Sequence, residues 1–422
     1  MTNVPLQNQE MLHENILDSM DNGVIALDFE GKIITFNAAA SRILGIPAED
    51  ALGKYYPEVF FAYEGTDEFN DVLINVIDTR QTHMHQEVPF TRDGETVIPL
   101  GITSSLLHDD KGIEYGVVSV FSDLTEIKKR QFLQDTLTRY VTRQVVDLIL
   151  ENPENIVLDG EERQTTMLFS DIRGFTTLSE KMRPTDVVYM LREYFTLMVE
   201  AVFEFQGTID KFIGDALMAI FGAPTPQPNH AELAVLTALR MQESLKGFNA
   251  RRMRKNAAPI SVGIGIHTGN AVVGNIGSEQ RLEYTAIGDA VNLASRLEGI
   301  NKEYGTSIII SEMTWQQIER PLLCRDVDRV RVKGRREPVK IFDVVGLPDS
   351  VPDDVQRMCG LFEQGIALYR ARQWNDAQEC FQAALQCVPN DGPSLRYIER
   401  CSQHAQSPPD ESWDGVFDMT TK

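Results

Sequence analysis

Nowhere does the 422-residue chain contain the ~18 consecutive apolar residues that a membrane-spanning helix needs. Its opening, MTNVPLQNQE, has neither the basic nor the apolar region of a signal peptide. The chain therefore reads as a cytoplasmic protein with no membrane partner. Runs of five or six Lys and Arg are missing too, in a sequence with 62 acidic against 40 basic residues and a net charge of −22. That balance repels phosphate backbones, so no nucleic-acid partner is expected. The five cysteines (Cys324, Cys359, Cys380, Cys387, Cys401) form no CxxC pair and crowd towards the end of the chain, which argues against a disulfide framework or a zinc site. They read as reduced, buried, small hydrophobes.

What is present exceeds one ordinary domain, because single cores stop growing at about 250–300 residues. Two large domains and a smaller piece are expected. In the first, GVIALDFEGKIITFN has apolar Val24, Ala26 and Phe29 before a turn at Glu30-Gly31 and Ile33, Ile34 and Phe36 after it, the pattern of a hairpin. Short helices follow, and then VPFTRDGETVIPLGITSSLL repeats the hairpin pattern around Asp93-Gly94. IEYGVVSVFSDLTE closes the set with a strand rich in β-branched residues. This layout, ending in Asp123-Leu124-Thr125, resembles a PAS sensor domain over residues 10–125. The resemblance names no ligand. Residues 37–44 (NAAASRIL) lack the reactive cysteine of the light-sensing flavin subgroup, which argues against covalent flavin photochemistry. His83, His85 and His108 are chemically able to hold haem, but two of them stand in a polar stretch, and they read as surface or strand-edge side chains.

Residues 126–160 read as a linker. LTEIKKRQFLQDTLTRYV spaces Leu124, Ile127, Phe132, Leu133, Leu137 and Val141 by mixed threes, fours and fives, a loose match to a parallel two-helix seam. VTRQVVDLILENPE predicts a second helix that stops before Pro153. Between a sensor and an effector in a dimer, such a helix transmits motion; otherwise it is a spacer. Past Pro348 and Pro352, residues 354–404 place Gly365, Ala377, Phe381, Ala384 and Pro389 at the offsets of a tetratricopeptide repeat. One repeat cannot bury its own face. It is expected to pack on the rest of the chain or on a second copy, or to meet a protein partner. Residues 405–422 read as a disordered tail.

The chemistry is expected in residues 161–347. TTMLFSDIRGFTTLSE begins as an apolar strand and breaks at Asp171, with Gly174 just beyond. A carboxylate at the carboxyl end of a core strand is where open α/β sheets place ligands. In GTIDKFIGDALMAIFG two apolar runs flank Gly214-Asp215 as a tight hairpin, so a second carboxylate projects from a strand tip. Two such hard-oxygen ligands are able to clamp a pair of divalent ions about 3.5–4 Å apart, although either Asp alone would read as a turn residue. In AIGDAVNLASRLEGINKEYG, Asp289 can cap a helix with a Leu293, Leu297 and Ile300 stripe, beside which Asn292 and Arg296 are neighbours at i and i+4.

FSDIRGFT, DKFIGDALMAIFG and IGDAVNLASRLE, in that order, resemble the class III nucleotidyl cyclases. The resemblance implies a modular α/β (α+β) protein: PAS domain, helical linker, ferredoxin-like cyclase domain and short C-terminal helical repeat. It implies conversion of ATP to 3′,5′-cyclic AMP and pyrophosphate with two divalent ions, Mg²⁺ or Mn²⁺. Asp171 and Asp215 would hold both ions with the Ile172 carbonyl. One ion would lower the pKa of the ribose 3′-hydroxyl for attack on the α-phosphate, and the other would hold the triphosphate and steady the leaving pyrophosphate. Asn292 would orient the ribose, Arg296 would stabilise charge on the α-phosphate and Lys333 would meet the β and γ phosphates, unless it is simply an exposed hairpin lysine.

Base choice falls to Lys211 and Thr285: a Lys only donates, which suits adenine N1, and a Thr hydroxyl can accept from the adenine amine. Guanylyl members carry an acidic residue where Lys211 stands. Thr285, rather than an Asp, is similar to the bacterial homodimeric subgroup, some of whose members respond to bicarbonate. Since family members share each site between two subunits and this chain has one set of residues, a homodimer with ATP as substrate is expected. The rival readings are a guanylyl cyclase and a non-catalytic PAS scaffold. A diguanylate cyclase is disfavoured because no GG-[DE]-EF run occurs.

Overall fold

The computed structural model describes residues 11–12, 15–61, 65–80, 83–92, 94–137, 160–278, 281–332, 337–410 and 413–419. Asp93, the second linker helix before Pro153, and Lys333, Arg335 and Arg336 lie outside the described residues. The chain divides into two compact units, Met1–Tyr140 and Val141–Lys422.

In the first unit β1 (Gly23–Asp28) and β2 (Ile33–Phe36) pair antiparallel. Asp28 Oδ1 accepts the Glu30 and Lys32 N–H groups at 3.0 and 2.8 Å, which fixes the tight turn between them. Four helices follow: α1 (Ala38–Leu44), α2 (Ala48–Ala51), α3 (Tyr56–Phe60) and α4 (Asp67–Thr79). Then come β3 (His83–Arg92), β4 (Thr96–His108) and β5 (Glu114–Asp123), giving the order β2-β1-β5-β4-β3. The interior is filled by Phe60, Phe69, Phe90 and Phe121, each at most 1 % exposed. The Phe69 ring meets the other three at 5.2–5.8 Å between centroids. Burying each such side chain contributes about 1.5–3 kcal/mol. His108 lies 3.9 Å from Glu114, and His85 packs beside Gly101 and Thr103 in a hollow of about 140 Å³. Among the described residues no group of three or more His, Cys, Asp or Glu comes together that could hold a metal ion. Asp123 Oδ1 accepts the Thr125 N–H at 2.8 Å as α5 (Thr125–Leu137) begins. Its Ile127 and Phe132 are exposed.

The second unit has the strand and helix order β6 (Glu161–Ile172), α6 (Phe175–Ser179), α7 (Pro184–Glu204), β7 (Thr208–Ile213), β8 (Ala216–Phe221), α8 (His230–Arg254) and β9 (Val262–Ser278). Next are β10 (Arg281–Ile287), α9 (Asp289–Tyr304), β11 (Ile308–Ser311), α10 (Glu312–Trp315), β12 (Leu323–Arg331) and β13 (Val339–Gly346). The central strands run β9-β6-β8-β7, the ferredoxin-like order in which a β-α-β-β-α-β chain brings its first and last strands together. β6 sits between two neighbours and is buried from Thr165 to Ser170, which is why Met167, Leu168 and Phe169 follow one another without alternation and the polar residues beside them are small hydroxyls. Met198, Val202, Val235 and Leu245 of α7 and α8 pack with Leu168, Ile264 and Ile266 of the sheet.

α11 (Asp353–Arg370), α12 (Trp374–Cys387) and α13 (Gly392–Gln406) complete the unit. Of the sequence-marked positions, Gly365, Ala377, Phe381 and Ala384 are buried and Pro389 is exposed. The three helices share a core with α9, β12 and β13 through Phe362, Phe381, Tyr397, Leu297 and Val327. The expected disordered tail is not found in the described residues. Trp413 packs edge-on against Tyr369 and Trp374, and β14 (Phe417–Asp418) pairs parallel with β12 while Asp414 and Asp418 bind Arg331. An aromatic cage and an open sheet edge order a segment whose composition looks unstructured.

Candidate active site

Asp171 is the penultimate residue of β6 and Asp215 stands in the β7–β8 turn, where Gly214 adopts a φ of +67° that a side-chain-bearing residue would resist. The pairing of β6 with β8 brings the two tips together. The Ile172 N–H donates to both carboxylates, at 2.9 Å to Asp171 Oδ1 and 3.3 Å to Asp215 Oδ2. Burial, then the hydrogen bond and charge of Asp215, push the Asp171 carboxyl up to about 7.

The structure adds two residues that the sequence reading missed. Glu298, on α9, raises Asp171 further and is itself pushed up to about 7 by burial and by Asp215, against the pull of Arg173. It comes so close because α9 lies directly on β9: a Cβ on Gly265 would sit 2.1 Å from the Glu298 backbone nitrogen, and one on Gly263 would sit 2.5 Å from Glu298 Oε1. Arg173 in turn donates to the carbonyls of Asn301 and Thr306, tying the end of α9 to the β6 tip. The signal in sequence was an acid two residues from Arg296 in a helix whose stripe is Leu293, Leu297 and Ile300.

Asn292 and Arg296 are both exposed. At about 100° per residue, Arg296 points some 160° around α9 from Glu298, and therefore away from the aspartates of its own chain. The helix starts at Asp289 with Gly288 as its N-cap, so the expected Asp289 cap shifts by one: Asp289 is a first-turn acid that suits the helix dipole.

Lys211 and Thr285 do come together, on β7 and β10. Lys211 Nζ donates to Glu283 Oε2 at 2.6 Å and lies 3.5 Å from Asp210 Oδ1. The Thr285 hydroxyl, in a residue 7 % exposed, donates to Asp210 Oδ2 at 2.6 Å. Neither Asp210 nor Glu283 was singled out in the sequence. Burial raises the Asp210 carboxyl, with Thr285 and Lys211 pulling it back.

Residues 159–346 match the adenylate and guanylate cyclase catalytic domain, and residues 12–124 match the PAS fold. The chain carries a class III cyclase catalytic domain behind an N-terminal PAS domain. It is 40 % identical over 216 residues to adenylate cyclase 1 of Rhizobium meliloti, covering 51 % of this chain and 32 % of that one. Among solved structures, it is 36 % identical to the adenylyl cyclase CyaB from P. aeruginosa, covering 46 % of this chain and all of that one, with a TM-score of 0.43. It is also 40 % identical to the guanylyl cyclase Cya2, covering 46 % and 96 % of the two chains, with a TM-score of 0.42. The chain spans 13 to 43 % of the length of its first curated relatives. Among the described residues no helix is long and apolar enough to cross a membrane.

Proposed function

We propose that the protein is a PAS-regulated adenylyl cyclase that converts ATP to 3′,5′-cyclic AMP and pyrophosphate in a homodimer with shared sites. The observation that carries this reading is the division of the site within one chain: the Asp171–Asp215 pair on the strand tips, and Asn292 with Arg296 exposed on the far side of α9. A second copy, placed head to tail, would supply the missing half of each site. Val188, Tyr189, Phe212, Ile213 and Ile287, all at least 48 % exposed, are apolar surface available for that contact.

Asp171 and Asp215 suit a divalent cation because two hard-oxygen donors are pressed together with one carboxyl driven towards protonation. Among the described residues no third His, Cys, Asp or Glu completes a metal cluster, so the other donors would be the Ile172 carbonyl, substrate phosphates and water. Bound there, two ions would activate the ribose 3′-hydroxyl and neutralise the triphosphate. Asn292 would hold the ribose in line with the α-phosphorus, and Arg296 would meet the charge that grows on it. Lys211 would donate to adenine N1 and Thr285 would accept from the adenine amine. Lys333 would meet the β and γ phosphates.

The direct test is cyclic-nucleotide production by the purified protein with Mg²⁺ or Mn²⁺, offering ATP and GTP separately. Cyclic AMP from ATP alone is expected; cyclic GMP as the main product would overturn the assignment of Lys211 and Thr285.

The raised Asp171 makes a second expectation. Its stabilising contribution in the metal-free protein is complete below the ordinary value of 3.8 and is lost as pH rises through about 7. A cation replaces the proton. Added Mn²⁺ should raise the unfolding temperature more at pH 8 than at pH 6, and Asp171→Asn should erase the difference. Equal shifts at both pH values would count against the pair as the cation site.

A further inference from the structure

We propose that Asp210 sets adenine selectivity by fixing the Thr285 hydroxyl as a donor to itself, which leaves that oxygen only able to accept from the base. The inference rests on the reading of Lys211 and Thr285 as base-contacting residues and concerns why that pair would discriminate.

A threonine hydroxyl both donates and accepts. Left to rotate, it would accept from the adenine amine or donate to the guanine carbonyl with equal ease, and would select nothing. Asp210 removes the choice. Its side chain is fully buried, and its Oδ2 takes the Thr285 proton at 2.6 Å and the Ala286 N–H at 3.4 Å. Its Oδ1 makes no hydrogen bond and faces Lys211 Nζ at 3.5 Å. The Thr285 hydroxyl, the Ala286 N–H and the Lys211 ammonium are all donors to this carboxylate, and with its proton given to Asp210 the Thr285 oxygen has only lone pairs left to offer a base. Guanine O6 would meet an acceptor.

The backbone explains how an acid comes to lie there. Ile209 pairs with Ala219 and Lys211 with Met218, so Asp210 is the extra residue of a β-bulge in β7. Bulges re-aim side chains. Here the bulge lets adjacent residues serve one cluster, Asp210 meeting Thr285 while Lys211 reaches Glu283, two positions away on the same face of β10. Asp210 acts through Thr285 and is a positioning residue.

The experiment compares the ATP-to-GTP ratio of kcat/KM, which does not depend on the fraction of enzyme that folds. Five full-length proteins are needed: wild type, Asp210→Asn, Thr285→Val, the double variant of these two, and Thr285→Ser. Asp210→Asn should lower the ratio about tenfold or more, since its amide is able to donate to Thr285 and free the hydroxyl to turn. In the Thr285→Val background the same change should leave the ratio where Thr285→Val put it. Thr285→Ser should keep the wild-type ratio. A ratio that collapses in Thr285→Val but stays at the wild-type value in Asp210→Asn would overturn the role of Asp210 alone. A wild-type ratio in Thr285→Val would instead overturn the base-contact reading, and the inference with it.

Discussion

Mixing two inactive variants, Asp171→Ala and Asn292→Ala, is expected to restore cyclic AMP synthesis to about a quarter of the wild-type rate per chain. Each variant alone should lose activity by several orders of magnitude, because one lacks the carboxylate pair and the other the ribose contact in both of its sites. In an equal mixture half the dimers are mixed, and each mixed dimer carries one site that draws Asp171 from one chain and Asn292 from the other. The measurement is cyclic AMP formation after co-expression or after unfolding and refolding together. A mixture confirmed as heterodimeric by differential tagging yet still inactive would rule out shared sites. Helix α9 separates the two halves: the charge of Glu298 reaches the aspartates of its own chain while Arg296 faces the other way.

Arg325→Met should destabilise the C-terminal unit by about 3–5 kcal/mol, the cost typical of breaking a buried ion pair. Arg325 is 3 % exposed and donates to Asp343 at 3.0 Å and to Asp391 at 2.9 and 2.7 Å. Burial works against its charge, and the two carboxylates outweigh it and hold the guanidinium above its usual value. Met preserves much of the volume but strands two carboxylates in the interior. Asp391 also accepts from the backbone N–H of Ser394 at 3.0 Å as the N-cap of α13, so the start of that helix should loosen with it. Urea unfolding followed by tryptophan fluorescence is suited to the test, since Trp315, Trp374 and Trp413 all belong to this unit. A loss below about 1 kcal/mol would show that water replaces the guanidinium and that the pair contributes little.

The same cluster shows why the C-terminal helices were only half legible. Their period was plain, with Gly365, Ala377, Phe381 and Ala384 at repeat offsets. Their partner was not, because Asp391 finds Arg325, and Arg400 finds Asp328, across 66 and 72 residues of sequence. Ion pairs over such distances leave no local trace. The tail misled for a related reason: polar composition argues for disorder only when no aromatic anchor exists, and Trp413 is one.

Sequence by itself determined the elements of the cyclase domain and the turns that end them. The β6 run ending at Asp171, the Gly214-Asp215 turn and the α9 stripe all follow from periodicity and turn chemistry, which act over a few residues. What only the tertiary structure decided is which of these meet. Strand order β9-β6-β8-β7 joins Asp171 to Asp215, the glycine contact of β9 with α9 brings Glu298 beside them, and a bulge in β7 puts Asp210 under Thr285. Those three arrangements depend on packing between segments far apart in the chain. Local preference fixes what a residue can offer, and only the assembled sheet fixes to whom it is offered.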